Sequence, residues 1–228
     1  IFIFPFLSVF ILTRSFVLSP LIAASLRSEL GAEVVIQGTS WHWGDGIQIK
    51  EIILKAEGVD GLAADVITLQ NVTLHTDSFL PFSPEIDWID IDSIRIRLAE
   101  SDQHPGEFNF SHLIESDNFS LPKLADSSSV HSGSVLAPMV TLKKLTVETG
   151  IMQGGDWTLD NSKIFNVRGA VQDEASTTLQ LIDTNKSLAI TLTINSSPFS
   201  VSAAIDDVQL DKSIFSLLPR TARTWCEE

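Results

Sequence analysis

The chain has no tyrosine and a single cysteine, Cys226, among its 228 residues. One thiol rules out an intrachain disulfide and any zinc site built on several cysteines. Basic residues are scarce too: 15 Lys and Arg stand against 29 Asp and Glu, a formal net charge of −14. That argues against nucleic acid as a partner, because a phosphate backbone is bound by clustered Lys and Arg. It argues equally against broad adhesion to anionic headgroups. Any lipid contact has to be apolar or local. The signatures of chemistry are missing as well. There is no G-x-S-x-G, no P-loop and no G-x-G-x-x-G. The five histidines, His42, His75, His104, His112 and His131, show no H-x-x-x-H spacing. No enzyme activity and no cofactor or metal are expected.

What is present is apolar. Hydrophobic residues make up 44% of the chain, enough for a sizeable core. Residues 1–13, IFIFPFLSVFILT, carry no charge, and Phe16, Val17 and Leu18 resume the run after Arg14. Spanning a bilayer takes roughly 20 apolar residues. Residues 1–18 are therefore expected to be an uncleaved membrane anchor whose first part lies upstream. Pro5 is tolerable in such a helix. Residues 19–31 predict a short amphipathic helix at the membrane exit. Ser19 suits its cap, Pro20 its first turn and Gly31 its end, and Ile22, Leu26 and Leu30 share a face.

From Glu33 onward one pattern recurs, Φ-x-Φ-x-x-Φ-x-Φ, where Φ is apolar. Its copies are Ile47, Ile49, Ile52, Leu54; Ile67, Leu69, Val72, Leu74; Ile89, Ile91, Ile94, Ile96; and Val140, Leu142, Leu145, Val147. Period-two alternation puts apolar residues on one face of a strand. The double x would throw the second pair to the other face, and a β-bulge would restore the phase. The middle pairs are all polar: Lys50-Glu51, Gln70-Asn71, Asp92-Ser93 and Lys143-Lys144. Each copy is thus read as one bulged strand with a continuous apolar face, the alternative being two short strands turning a corner. The preference for Ile, Val and Leu favours strand over helix.

Later runs alternate more strictly: Leu188, Ile190, Leu192, Ile194, then Phe199, Val201, Ala203, Ile205, with a turn at Ser196-Ser197-Pro198. Further strands are expected over 33–39, 157–170 and 177–183, and short helices over 109–115 and 211–219. The organisation that follows is a β subdomain over 32–115, a Ser-rich linker or loop over 116–138, and a second β segment over 139–228 continuing in a longer protein. The fold class is mainly β, antiparallel and bulged. The apolar face either meets a second sheet, as in a sandwich or solenoid of structural or adhesive type, or faces a ligand.

Two clusters invite a glycan reading. Asp87, Asp90 and Asp92 form a dense acidic stretch, and paired carboxylates can hydrolyse glycosides. They alternate with Ile, so the polar side of a solvated strand is the simpler account. Trp41 and Trp43, beside Gly44-Asp45-Gly46, suit a sugar platform, or more simply a sheet end near a membrane interface.

The order of features resembles a family. An anchor and a helix ending Leu30-Gly31 precede Val34-Val35-Ile36, Trp41-x-Trp43 and Gly46-Ile47-Gln48-Ile49-Lys50-Glu51-Ile52. Then come Ile89-Asp90-Ile91-Asp92-Ser93-Ile94-Arg95-Ile96 and Gly106-Glu107-Phe108-Asn109-Phe110-Ser111-His112-Leu113. Over residues 1–115 this is similar to the N-terminal region of the AsmA-like, TamB-like family of bacterial envelope proteins. The resemblance carries over no catalytic residues. It implies a single-pass inner-membrane anchor and a periplasmic, elongated β groove lined by the twelve apolar residues of the first three copies. It also implies phospholipid acyl chains as cargo, with a role in lipid transfer or outer-membrane assembly alongside other envelope proteins. This chain is much shorter than the family's usual bridges.

Overall fold

The computed structural model describes residues 15–42, 45–76, 86–114, 139–153, 156–173, 176–184, 188–196 and 199–208. Residues 1–14 of the anchor expected over 1–18, the Ser-rich segment over 116–138, the helix over 211–219, Trp43 and Cys226 lie outside them.

Helix α1 (Ser15–Leu30) is followed by strands β1 (Glu33–His42) and β2 (Gly46–Lys55). A 3₁₀ turn (Gly61–Ala64) leads into β3 (Asp65–His75) and β4 (Trp88–Ser101). The short helix α2 (Asn109–Ile114) precedes β5 (Met139–Gln153), β6 (Asp156–Asp173), β7 (Ser176–Asp183), β8 (Leu188–Ser196) and β9 (Phe199–Val208). All nine strands form one sheet in sequence order. Among the described residues there is no second sheet. The fold is mainly β and mostly antiparallel, with few short helices.

One pairing departs from the antiparallel expectation. β4 and β5 run parallel, over thirteen residue pairs from Trp88↔Met139 to Ser101↔Met152. The physical reason lies in the motif. Φ-x-Φ-x-x-Φ-x-Φ reads the same in both directions, so its apolar positions match whether the neighbour runs up or down. The chain between Ser101 and Met139 is long enough for the crossover that a parallel pair requires. The strands on either side of the Ser-rich segment are therefore direct neighbours in one sheet.

The second departure concerns the middle of the motif. A bulge would set two residues against one and shift the register. No shift occurs there. Instead the ladder skips one aligned pair at each junction: Gly38 beside Lys50, Lys50 beside Asn71, Asn71 beside Asp92, and Asp92 beside Lys143. The extra residue sits at the same level in five adjacent strands, so none needs a bulge relative to its neighbour. The result is a crease across the sheet. Gly38 (φ 66°) and Asn71 (φ 51°) take the left-handed conformation on it. A Cβ on Gly38 would come within 2.9 Å of the Lys50 Cβ. True register shifts occur elsewhere, at 54/55, 149/150, 168/170 and 189/190.

Asn tolerates the left-handed region, whereas branched residues do not. Asn71→Val is expected to cost about 2 kcal/mol. Asn71→Gly is expected to be nearly neutral, because glycine adopts this conformation freely. Urea unfolding of both variants checks this; equal losses would remove backbone conformation as the cause.

Helix α1 also differs from its expected form. It is already helical at Ser15, and Pro20 lies inside it. Ser19 is no cap: its hydroxyl lies 2.6 Å from Thr39 Oγ1. The Arg27 guanidinium donates twice to the Val34 carbonyl, at 3.0 and 2.7 Å. These contacts set α1 along β1, running opposite to it, with Ile22, Leu26 and Leu30 packed on the sheet. No helix among the described residues is long and apolar enough to cross a membrane.

Candidate functional site

The cross-strand registers assemble the four motif copies, with β1, into four rows. They are Trp41–Ile47–Leu74–Ile89–Val140, Thr39–Ile49–Val72–Ile91–Leu142, Ile36–Ile52–Leu69–Ile94–Leu145 and Val34–Leu54–Ile67–Ile96–Val147. Two rows lie on each side of the crease. Of the twelve residues singled out from the sequence, ten join one apolar cluster: Ile47, Ile49, Ile52, Leu54, Leu69, Val72, Leu74, Ile89, Ile91 and Ile94. Ile67 packs instead on Ala56 and Val66, and Ile96 is half-buried. Both halves of the motif thus contribute to one apolar face. Ile49 is fully buried, while Leu69, Leu74, Ile89 and Ile94 are only half-buried. Among the described helices, α1 packs over the β1 side of this face.

The face continues past the residues the sequence had marked. Leu145 and Val147 pack in a second cluster with Phe165, Leu181 and Leu188, joined by Val167 and Ile190, so β5 to β8 carry an apolar cluster of their own next to the first. β1 is itself a fifth copy, Val34-x-Ile36-x-x-Thr39-x-Trp41. It escapes a search for aliphatic residues because Thr39 and Trp41 occupy two of the four places. The spacing alone was the signal.

The opposite side carries polar chains across the strands. Gln70 donates to Glu51 (3.4 Å) and accepts from Ser93 (3.0 Å). Lys143 donates to Asp92 at 2.6 Å. Asp90 accepts from the Thr141 hydroxyl and lies 2.7 Å from His75 Nε2; His75 in turn stacks on Trp88 at 4.3 Å. A shallow depression of about 250 Å³ lies over the crease, lined by Gly38, Ser40, Gln48, Lys50, Asn71 and Thr73 among others.

These bonds set the charge states. The Thr141 hydroxyl, and then His75, hold the Asp90 carboxyl below its ordinary value against the opposing effect of burial. The Lys143 ammonium does the same for Asp92, and is itself pushed up by that carboxylate. A glycosidase pair needs one carboxyl kept protonated near neutral pH. Asp90 and Asp92 are both shifted the other way. Trp41 packs in the apolar cluster with its indole N–H buried and unpartnered. Among the described residues no group of three His, Cys, Asp or Glu side chains is placed to hold a metal ion.

The same shifts fix a pH dependence. A carboxylate whose folded pKa is lowered contributes stability above its unfolded value and loses it as the pH falls. Stability is expected to decline below about pH 4. Asp90→Asn should flatten that decline while lowering stability at neutral pH. Thermal midpoints between pH 3 and 7 read both arms; an unchanged acid slope would discount Asp90.

The far end of the sheet is held by two polar locks. Arg97 is buried, donates to the Leu62 carbonyl (2.6 Å) and Glu148 (3.3 Å), and lies 4.2 Å over the Trp157 ring. Gly150 admits that ring, since a Cβ there would meet Trp157 Nε1 at 2.7 Å. Asn109, fully buried, accepts from the N–H groups of Ala99 and Phe110 and donates to the carbonyls of Ala63 and Arg97. It ties β4, the 3₁₀ turn and α2 together. Asn109 is the asparagine of the Gly106-Glu107-Phe108-Asn109 stretch noted in the sequence.

Comparison with family models, curated proteins and solved structures gave no match.

Proposed function

We propose that this chain is the anchored N-terminal part of an AsmA-like, TamB-like envelope-biogenesis protein. In this reading the expected anchor enters the inner membrane through residues 1–14, since Ser15 is already bonded to Thr39 of β1 and Leu18 is buried. The sheet stands in the periplasm, and the apolar face is an open groove for phospholipid acyl chains. The observation that carries the reading is the apolar cluster shared by β1 to β5, with a second apolar cluster following it on β5 to β8. Half-buried Leu69, Leu74, Ile89 and Ile94 offer a lipid tail a surface without any reactive group. Each methylene removed from water contributes about 0.8 kcal/mol, so ten of them lying on the face gain about 8 kcal/mol before ordering costs. The net charge of −14 fits a cargo held by its tails and not by its headgroup.

The test is mass spectrometry of the protein extracted in mild detergent, together with photocrosslinking from Leu69 and Ile94. Phospholipid should co-purify, and both positions should crosslink to it. A lipid-free monomer without crosslinks would favour the second reading, a closed structural or adhesive β domain. Fully buried Ile49 and Val34 beneath α1 are the observation on that side.

A further inference from the structure

Helix α1 packs one side on the sheet, yet its other side is not uniformly polar. Phe16 is 72% exposed and Leu21 59%, and Pro20 and Ala24 beside them are exposed too. From Ser25 onward the outward positions become Ser25, Arg27 and Ser28. The outer side of α1 therefore changes from apolar to polar between residues 24 and 25. A contiguous apolar strip on the outward side is unusual for a helix wholly in water, whose apolar stripe is the one that packs, here buried Leu18 with half-buried Ile22 and Leu26.

Two further observations say what covers this patch. The thirteen uncharged residues 1–13 precede α1, separated from it only by Arg14. The patch also lies at a particular end of the sheet. Ser15 and Ser19 bond to Thr39, while Arg27 reaches Val34, so the N-terminus of α1 stands at the end holding Trp41 and the start of β4. Trp88, 39% exposed, opens β4 at the same end, on the polar side of the sheet, where it stacks on His75. An exposed Trp at that end suits a lipid interface, where Trp is favoured.

We infer that the outward side of Phe16, Pro20, Leu21 and Ala24 lies in the interface of a lipid bilayer, with water beginning at Ser25. This rests on the proposed membrane anchor and adds the orientation. The end of the sheet holding the Trp41–Ile47–Leu74–Ile89–Val140 row faces the bilayer, and the end tied by Asn109 faces away. Lipid tails would therefore reach the apolar face first at that row. Recognition is apolar, so it does not depend on anionic headgroups.

The experiment uses the whole chain with Cys226→Ser and single cysteines at Phe16, Leu21, Ser25 or Ser28. Each is labelled with an environment-sensitive fluorophore and reconstituted with vesicles of phosphatidylcholine or of phosphatidylglycerol. Labels at 16 and 21 should shift to the blue and lose quenching by iodide, labels at 25 and 28 should stay quenched, and both lipids should give the same result. If labels at 16 and 21 remain as quenched as that at 28 on protein that floats with the vesicles, the inference falls and the anchor stands. Protein that does not float with either vesicle overturns both. A response seen only with phosphatidylglycerol would overturn the apolar mode.

Discussion

Asn109→Ala is expected to destabilise the protein by about 3–5 kcal/mol, the largest single-residue loss we anticipate outside the apolar face. The side chain has no exposure, and it serves four backbone groups from three elements: Ala99 N–H, Phe110 N–H, Ala63 C=O and Arg97 C=O. Alanine removes every one of those partners and leaves no room for bulk water. Each buried group left unsatisfied costs about 1–3 kcal/mol, reduced where relaxation or a trapped water helps. For a domain of this size the thermal midpoint should fall by roughly 6–20 °C. Asn109→Asp should be no better, because it keeps the acceptor but loses both donations and buries a charge. The exposed Asn166, on β6, is the control, and Asn166→Ala should stay within about 0.5 kcal/mol. A small loss for Asn109→Ala in calorimetry would mean that the 3₁₀ turn and α2 are held mainly by apolar packing around Ala56 and Val66.

How much of this was legible beforehand depends on which property carried the information. The strands were legible because spacing survives substitution. Ile47-x-Ile49-x-x-Ile52-x-Leu54 and its copies mark the strands, all four copies lie in strands, and ten of the twelve residues of the first three share one cluster. The direction of a strand was not legible. A palindromic motif fits a parallel neighbour as well as an antiparallel one, which hid the β4–β5 pairing. The crease was misread as a bulge because one strand cannot reveal whether its neighbours carry the same extra residue. Only the registers of Gly38, Lys50, Asn71, Asp92 and Lys143 show that they do. The start of α1 was misplaced because Ser19 and Pro20 mimic a helix start, whereas Ser19 is drawn to Thr39, twenty residues away. Asn109 stood in a recognised stretch, but its role was out of reach: asparagine is usually exposed, and nothing local says that this one is buried.

The decisive question is whether the apolar face is open, and two kinds of substitution on it separate the answers. Ile49 is 2% exposed and belongs to the cluster that α1 joins. Ile49→Ala removes buried methyl groups and leaves a cavity, so about 3 kcal/mol and a fall of roughly 6–12 °C are expected under either reading. Leu69 and Ile94 face each other across β3 and β4 and are only half-buried. If the face is a groove, Leu69→Gln and Ile94→Gln leave their amides within reach of water and cost about 1 kcal/mol or less each. The double variant should then fold, keep its far-ultraviolet spectrum and lose most of the phospholipid that co-purifies with the parent, because two amides in mid-face break the apolar path for a tail. If the face is closed, the same amides are buried without partners, and each costs about 1–3 kcal/mol on top of the lost packing. The double variant would then fall at least as far as Ile49→Ala. Stability and bound lipid, read together, move in opposite senses in the two cases: a folded double variant emptied of lipid requires a groove, and an unfolded one, or one that holds its lipid unchanged, removes it. The crease sharpens the comparison, since Ile49 lies on one side of it and Leu69 and Ile94 on the other. Lipid lost through changes at Leu69 and Ile94, while Ile49 keeps its packing, would locate the tail beyond the crease, over β3 and β4.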